Sequence, residues 1–305
     1  MKRWQVVGLA LWSTIVLGYL GIFLGLRLLQ TRLIFRPLTP VPALTPADLG
    51  WEAEAVTLTV PPASPIDHRS NPIDRLQGWW FPPHITTTSP KAWILFLGRR
   101  KTMADHGQSH ALRYRIAALA GQSAGLLMLD YRGYGQSAGP HPTETRLYAD
   151  GEAAWHFLRD TQGIAPDHIF FYGYSLGAAV ALEMALRHPT AGGVVVDGGF
   201  TTLAETIDAH LSPHSPLRLF PLDLILTQPF DNASRVAQLQ MPVLIVHGTA
   251  DEVVPVELGK MLFAVASQPK EMILVTGANH ESTAVLGGEQ YLGALQRFLE
   301  QEPDY

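Results

Sequence analysis

The sequence Gly173-Tyr174-Ser175-Leu176-Gly177 carries the clearest chemical signal in this 305-residue chain. It follows the apolar run Ile169–Tyr172 and opens a stretch rich in small residues, Gly177, Ala178, Ala179 and Ala181. A G-x-S-x-G sequence is common by chance, but between a strand and a helix it makes a sharp turn that exposes the serine hydroxyl at the sheet edge. So tight a turn excludes bulk on both sides, which accounts for Gly173 and Gly177. The helix start beneath Ser175 adds a positive partial charge that suits a developing oxyanion. A serine that merely caps the helix is the competing reading, and it leaves the two glycines unexplained. The chemistry implied is nucleophilic attack by Ser175 on a carbonyl carbon.

A serine hydroxyl at neutral pH needs a base, and the base needs an orienting carboxylate. After a strand–turn–helix serine, the expected chain order is an acid and then a histidine. Asp251 follows the apolar run Val243–Val246 within His247-Gly-Thr-Ala-Asp251, and His280 follows Met272–Val275 within Gly277-Ala-Asn-His280. Both would lie at the same sheet edge as Ser175. The chain has 12 histidines, so other bases compete with His280. His247 stands at a strand end and reads as a loop cap, while His106, His110 and His141 read as surface residues. Glu252 is expected to point away. Asp197, after the run Gly193–Val196, is a second candidate for the acid. His106 with His110, and His210 with His214, have the i, i+4 spacing of metal ligands, but neither pair has the glutamate of an H-E-x-x-H site. No metal is expected. There is also no G-x-G-x-x-G or Walker sequence, so no cofactor is expected. Cysteine is absent, which excludes a disulfide scaffold, a thiolate zinc site and a cysteine nucleophile.

These residues need a scaffold, and the pattern supplies one. Hydrophobic residues make up 47% of the chain and charged residues only 16%, which excludes a disordered protein or a coiled coil. Ala53–Val60 and Leu76–Phe81 read as a hairpin. Strand-like runs then alternate with helices: Trp93–Leu97, a helix near 109–120, Gly125–Leu129, a helix near 144–159, Ile169–Tyr172, the helix Leu176–Arg187, Gly193–Val196, Val243–Val246, the helix Val256–Ala266, Met272–Val275 and a last helix near 290–299. This alternation predicts an α/β fold, a mostly parallel sheet with helices on both faces. Between residues 200 and 240 the rhythm breaks, with prolines at 213, 216, 221 and 229 among several leucines. That stretch predicts a small cap insertion, or else two ordinary surface helices with an irregular connection. The loop Asp130–Ser137 reads as structural, with Arg132 reaching a carboxylate inside it.

The N-terminus has its own signature. Val6 to Leu26 is uncharged, about 21 residues or about 32 Å of helix, matching a bilayer core of about 30 Å. A cleaved signal peptide is the rival, but its apolar region is usually about 7–15 residues and no A-x-A-like site follows here. Residues 1–36 therefore read as a transmembrane anchor with its juxtamembrane segment, and 37–305 as one α/β domain. Basic residues flank both ends of the span, so its orientation is not fixed. Gly21 and Gly25 could let two such helices approach, although glycine is common in membrane helices, and the oligomeric state stays open. The segment Leu28–Phe35 reads either as lying along the headgroups or as a helix packed on the domain. Lys2, Arg3, Arg27, Arg32 and Arg36 are the only charges in the first 36 residues, so the remainder is more acidic than the net −5 of the whole. Phosphate binding needs clustered cations, so no nucleic-acid ligand is expected for such a surface.

These motifs together resemble the α/β-hydrolase superfamily, and within it the membrane-anchored hydrolase-domain proteins that include lysophospholipid lipases and protein depalmitoylases. The resemblance rests on the anchor with Arg32-Leu-Ile-Phe-Arg-Pro37, on Gly78-Trp-Trp, on Asp130-Tyr-Arg-Gly-Tyr-Gly-Gln-Ser137, on the serine motif, and on the Asp251 and His280 loops. It implies hydrolysis of esters or thioesters at a membrane through Ser175, His280 and Asp251, with the bilayer and a small-molecule or acylated ester as partners. Relatives carry a His-Gly-Asn type sequence after the strand matching Trp93–Leu97, where a backbone N–H helps bind the oxyanion. Here the residues are Gly98-Arg99-Arg100-Lys101. The Arg99 N–H could still serve, together with that of Leu176. The three cations read either as an attractor of anionic substrates or as a solvated loop balancing an acidic domain. Two other functions fit the same motifs: a serine peptidase of the same fold, or an inactive membrane-tethered binding module.

Overall fold

Eight strands, β1 (Glu54–Thr59), β2 (Arg75–Phe81), β3 (Lys91–Phe96), β4 (Ala124–Leu129), β5 (Ile169–Tyr174), β6 (Gly193–Asp197), β7 (Val243–Gly248) and β8 (Lys270–Val275), form one sheet. Their order is β1-β2-β4-β3-β5-β6-β7-β8. The computed structural model describes residues 3–35, 45–60, 74–83, 90–98, 109–120 and 124–300. β1 and β2 form the expected hairpin, from Glu54 opposite Trp80 to Thr59 opposite Arg75, and β2 also runs antiparallel to β4. Every other pairing is parallel. β4, β5, β6 and β7 are buried at every residue, which is why their sequences read as continuous apolar runs rather than alternating ones. β1 at the edge exposes alternate positions.

Nine helices accompany the strands among the described residues: α1 (Arg3–Ile34), α2 (His110–Ala120), α3 (Glu144–His156), α4 (Leu176–Arg187), α5 (Leu203–His210), α6 (Leu222–Ile225), α7 (Asn232–Val236), α8 (Val256–Val265) and α9 (Thr283–Glu300). The mostly parallel sheet and helical layers agree with the α/β fold expected from the sequence. α9 starts seven residues before the helix expected near 290. Gly287-Gly288 argues against a helix there, because glycine costs about 1 kcal/mol in a helix interior. The chain resolves this with a kink at Gly288 (φ 45°), so that the first turn belongs to the loop carrying His280. Arg132 also departs from expectation. Its guanidinium reaches Asp150 at 2.6 Å and Asp74 at 3.2 Å, both outside its own loop. The Asp130 carboxylate instead lies against Gly135, where a Cβ would stand 1.8 Å from Oδ2.

α5, α6 and α7 lie in the stretch between β6 and β7, joined by a tight turn at Pro216–Leu219. Their shortness follows from the prolines at 213, 216, 221 and 229. This insert packs on α1. The Tyr19 ring stacks on Phe220 with centroids 4.6 Å apart, and its hydroxyl donates to the Leu219 carbonyl at 3.0 Å. Arg27 donates to the Leu224 carbonyl. Gln30, buried, donates to the Ile225 carbonyl at 2.9 Å and accepts from the Thr227 N–H at 2.6 Å. Leu28–Ile34 is thus the continuous end of one long helix rather than a short separate one, and through Gln30 it packs on the domain. Among the described residues, one helical stretch, Ala10–Ile34, is long and apolar enough to cross a membrane.

Candidate active site

β5 ends at Tyr174 and α4 begins at Leu176, so Ser175 alone makes the turn between them. It does so at φ 55°, ψ −120°, a conformation that costs an L-residue roughly 1–3 kcal/mol. The side chain forms no cap hydrogen bond to the helix, which removes the main support for a purely capping role. The backbone fastens the turn: Ser175 N–H donates to the Asp197 carbonyl at 2.9 Å, and Ala178 N–H donates to the Ser175 carbonyl at 3.0 Å. The flanking glycines are sterically required. A Cβ on Gly177 would lie 2.1 Å from the Phe96 carbonyl oxygen, and one on Gly173 would lie 2.4 Å from the Ala178 Cα. Because the obstructing atoms are backbone, Gly177→Ala is expected to cost about 1–3 kcal/mol or more by overpacking. A thermal melt should show a lowered Tm; a melt unchanged from the native protein would mean that β3 and α4 are less tightly apposed than described.

Asp251 and His280 are brought together. His280 Nδ1 donates to Asp251 Oδ2 at 2.7 Å. The other carboxylate oxygen, Oδ1, accepts from the N–H groups of Val253 and Val254, both at 2.8 Å, which pins the side chain to its own loop. With Nδ1 carrying the proton, Nε2 is left as the basic nitrogen of His280. The histidine loop is held as well: the Tyr174 hydroxyl donates to the His280 carbonyl at 3.1 Å, and the two rings lie 5.2 Å apart. A Cβ on Gly198 would stand 3.1 Å from His280 Cε1, and Gly198 directly follows the Asp197 carbonyl that receives Ser175 N–H. Ser175 and His280 thus flank the same Asp197–Gly198 step at the carboxyl edge of the sheet, where α/β proteins bind ligands.

Asp197 is occupied elsewhere. It accepts from Arg115 at 2.8 Å, from the Tyr172 hydroxyl at 2.5 Å and from the Thr283 hydroxyl at 3.0 Å, all within the core. Arg115, almost fully buried, also lies over the Tyr174 ring at 4.2 Å. The sequence does not reveal this cluster, although an arginine within the apolar run of α2 is an available hint. His247 is buried, with its ring Nε2 2.8 Å from the Val254 carbonyl oxygen and 3.5 Å from Asp251 Oδ2, so it supports the acid's loop. Glu252 is exposed. His141, expected at the surface, is exposed and meets the Thr31 carbonyl of α1 at 3.2 Å. His106 lies outside the described residues, as do Arg99, Arg100 and Lys101.

Burial would raise the Asp251 pKa, but hydrogen bonds from His247 and His280 outweigh it and hold the carboxyl below the ordinary carboxylate range. A depressed native pKa contributes stability that is present above the unfolded value near 3.8 and is lost as the pH falls through the native one. The Tm difference between the native protein and Asp251→Asn should therefore narrow below about pH 4. A difference that stayed constant from pH 7 to pH 3 would show that the carboxylate is not stabilised in this way.

Leu176 opens α4, where the first N–H groups have no partner within the helix. On the other side, the chain leaving β3 passes close by: a Cβ on Gly98 would lie 3.3 Å from the Ser175 Cβ. Beside Ser175 opens an apolar cavity of 300 Å³, lined by Leu176, Phe200, Ile207, Leu211, Val254 and others. Among the described residues, no group of three or more His, Asp or Glu side chains is placed to hold a metal.

Comparison with known proteins agrees with this architecture. A family model described as serine aminopeptidase, S33, matches residues 101–220, which include the serine turn but neither Asp251 nor His280. An uncharacterised protein of Mycobacterium tuberculosis is 33% identical over 263 residues, covering 82% of this chain and 88% of the relative. The human alpha/beta hydrolase domain-containing protein 17B is 34% identical over 222 residues, covering 70% of this chain and 69% of its own. Among solved structures, an esterase from Pyrococcus furiosus superposes with a TM-score of 0.67 at 22% identity, covering 88% of this chain and 97% of the esterase. Strand order, serine turn and these similarities agree that the chain belongs to the α/β-hydrolase family.

Proposed function

We propose that the protein is a membrane-anchored serine hydrolase that cleaves carboxylic esters or thioesters of lipid-like or acylated substrates. The observation that carries this reading is the 2.7 Å bond between His280 Nδ1 and Asp251, placed beside a serine held in a strained strand-to-helix turn. In the proposed reaction, Ser175 Oγ attacks the acyl carbonyl while His280 Nε2 takes its proton, and Asp251 holds the imidazole tautomer and stabilises the imidazolium. The N–H groups of Leu176 and of Arg99, the residue after Gly98, stabilise the tetrahedral oxyanion. Collapse expels the alcohol or thiol, which receives the proton from His280. Water, deprotonated by His280, then attacks the acyl-enzyme, and the carboxylic acid leaves with Ser175 restored.

The apolar lining of the cavity beside Ser175 supports an acyl substrate. Membrane anchoring is supported by the apolar stretch of α1, whose Trp4, Leu11, Trp12, Ile15, Leu17 and Leu20 are all exposed. An apolar helix surface left so open to water is the expected state of a segment that sits in lipid.

Peptide hydrolysis is the second reading, favoured by the description of the family model over residues 101–220. An aminopeptidase needs an anion to receive the free α-amine of its substrate, and among the described residues no carboxylate lines the cavity beside Ser175. The ester reading is therefore preferred. The test is labelling of the full chain with a fluorophosphonate probe, followed by turnover of an acyl ester against an aminoacyl amide. Labelling at Ser175 with faster ester turnover is expected. An unlabelled native protein would favour an inactive binding module, and faster amide turnover would favour the peptidase.

A further inference from the structure

The cavity beside Ser175 does not stand alone. Among the described residues, a second cavity of 190 Å³ is lined by Leu26, Gln30, Leu33 and Ile34 of α1 and by the insert, including Leu217, Phe220 and Leu226. Ile34, Ile207 and Leu211 line both spaces. The two therefore adjoin across three apolar side chains, with Ser175 on one side and the N-terminal helix on the other; joined, they would make one apolar track. From Leu26 to Ile34 the helix rises about 12 Å, so the track runs on from the end of the membrane-spanning stretch towards Ser175.

The geometry of α1 also sets where the track lies relative to the bilayer. The insert first meets the helix at Tyr19, so the part clear of the domain runs from about Trp4 to Gly18 and is only about 22 Å long. Spanning a core of about 30 Å takes about 20 residues, from Trp4 to about Phe23, so Tyr19–Phe23 and the part of the insert beside them enter the apolar region, and the track begins at Leu26, where the helix leaves it. The insert is built for this position. Leu219 and Leu224 are 74% and 63% exposed, Leu217 is 41% exposed, and all three lie beside α1. Exposed leucines of this kind are costly in water and favourable in hydrocarbon.

We infer that the last two turns of the N-terminal helix form one wall of an acyl-chain subsite, which receives a long acyl chain sideways from the bilayer and selects it for length. The chain occupies the track between α1 and the insert while its carbonyl sits at Ser175. This inference rests on the hydrolase reading above and adds the location of the chain and the residues that measure it. Leu33 and Leu217 line the second cavity, at positions exposed enough to accept larger side chains.

The test uses the full chain in mixed detergent micelles, with p-nitrophenyl butyrate and p-nitrophenyl palmitate as probes. Leu33→Trp or Leu217→Trp should lower the palmitate-to-butyrate ratio of kcat/KM at least about tenfold, the effect of roughly 1.4 kcal/mol. Val265→Trp, on α8 and lining neither cavity, should leave the ratio as it is. A ratio unchanged in both variants overturns the inference, including the case in which both esters slow equally. A second measurement needs no variant: a hexadecyl fluorophosphonate should label Ser175 at least about tenfold faster than an ethyl one, the same 1.4 kcal/mol. Equal labelling rates overturn the acyl track while leaving the hydrolase reading intact. A native protein that neither probe labels and that cleaves neither ester overturns the hydrolase reading itself.

Discussion

Ser175→Ala is expected to lower ester turnover by at least about 10⁴-fold and to abolish fluorophosphonate labelling, because loss of the nucleophile leaves only the oxyanion site and binding to accelerate the reaction. The fold should survive. Alanine keeps the same backbone geometry, and the serine side chain contributes no hydrogen bond to the helix end. A companion variant separates chemistry from stability. At φ 55° and ψ −120° a Cβ is strained, so Ser175→Gly should relieve about 1 kcal/mol even after the greater freedom of glycine in the unfolded chain is counted. For a domain of this size that is a rise in Tm of roughly 2–4 °C. The glycine variant would thus be more stable and inactive, the relation expected where strain is kept for function. The two measurements are ester hydrolysis and a thermal melt. Alanine-variant turnover above a hundredth of native would remove Ser175 from the nucleophile role, and a lower Tm for the glycine variant would show that the turn is unstrained.

Much of this arrangement is legible in the sequence because the central parallel strands bury both faces and so appear as uninterrupted apolar runs, with Val243–Val246 pointing directly to the loop of Asp251; Met272–Val275, on the partly exposed edge strand β8, is still apolar enough to lead to His280. The serine turn is legible for a different reason: steric exclusion at Gly173 and Gly177 leaves a mark in residue type. What the sequence conceals depends on contacts between distant segments. Asp197 and Asp251 look alike, each following an apolar strand, and only the meeting of Asp197 with Arg115 and Thr283, 82 and 86 positions away in sequence, tells them apart. The clasp of α1 by the insert is hidden in the same way. Tyr19 and Phe220 are 201 positions apart, and neither residue type announces its partner. Gln30 is a partial exception, since a lone amide in an apolar helix needs hydrogen-bond partners, and Ile225 and Thr227 supply them.

Exchanging each of the two acids for its amide should separate their roles through opposite patterns of damage. In Asp251→Asn, the amide oxygen can still accept from the Val253 and Val254 N–H groups, so the loop should hold. The amide NH₂ then faces His280 Nδ1, which must accept a hydrogen bond where it had donated one. The ring proton moves to Nε2, and the base is lost in the tautomer that remains. A kcat reduction of about 10⁴ is expected, as for an orienting carboxylate made neutral in a related constellation. In Asp197→Asn the loss falls on folding. Arg115 is 1% exposed and would be left in the core without its counter-charge, a change that typically costs about 3–5 kcal/mol. That corresponds to a Tm lower by roughly 10 °C. Turnover at a temperature where the variant is folded should fall far less, on the order of tenfold, through Arg115 to Tyr174 and from there to the His280 carbonyl. Paired melts and kinetics decide the matter. If Asp197→Asn proves stable but inactive while Asp251→Asn is active, the acid lies on β6 and the 2.7 Å contact to His280 is structural.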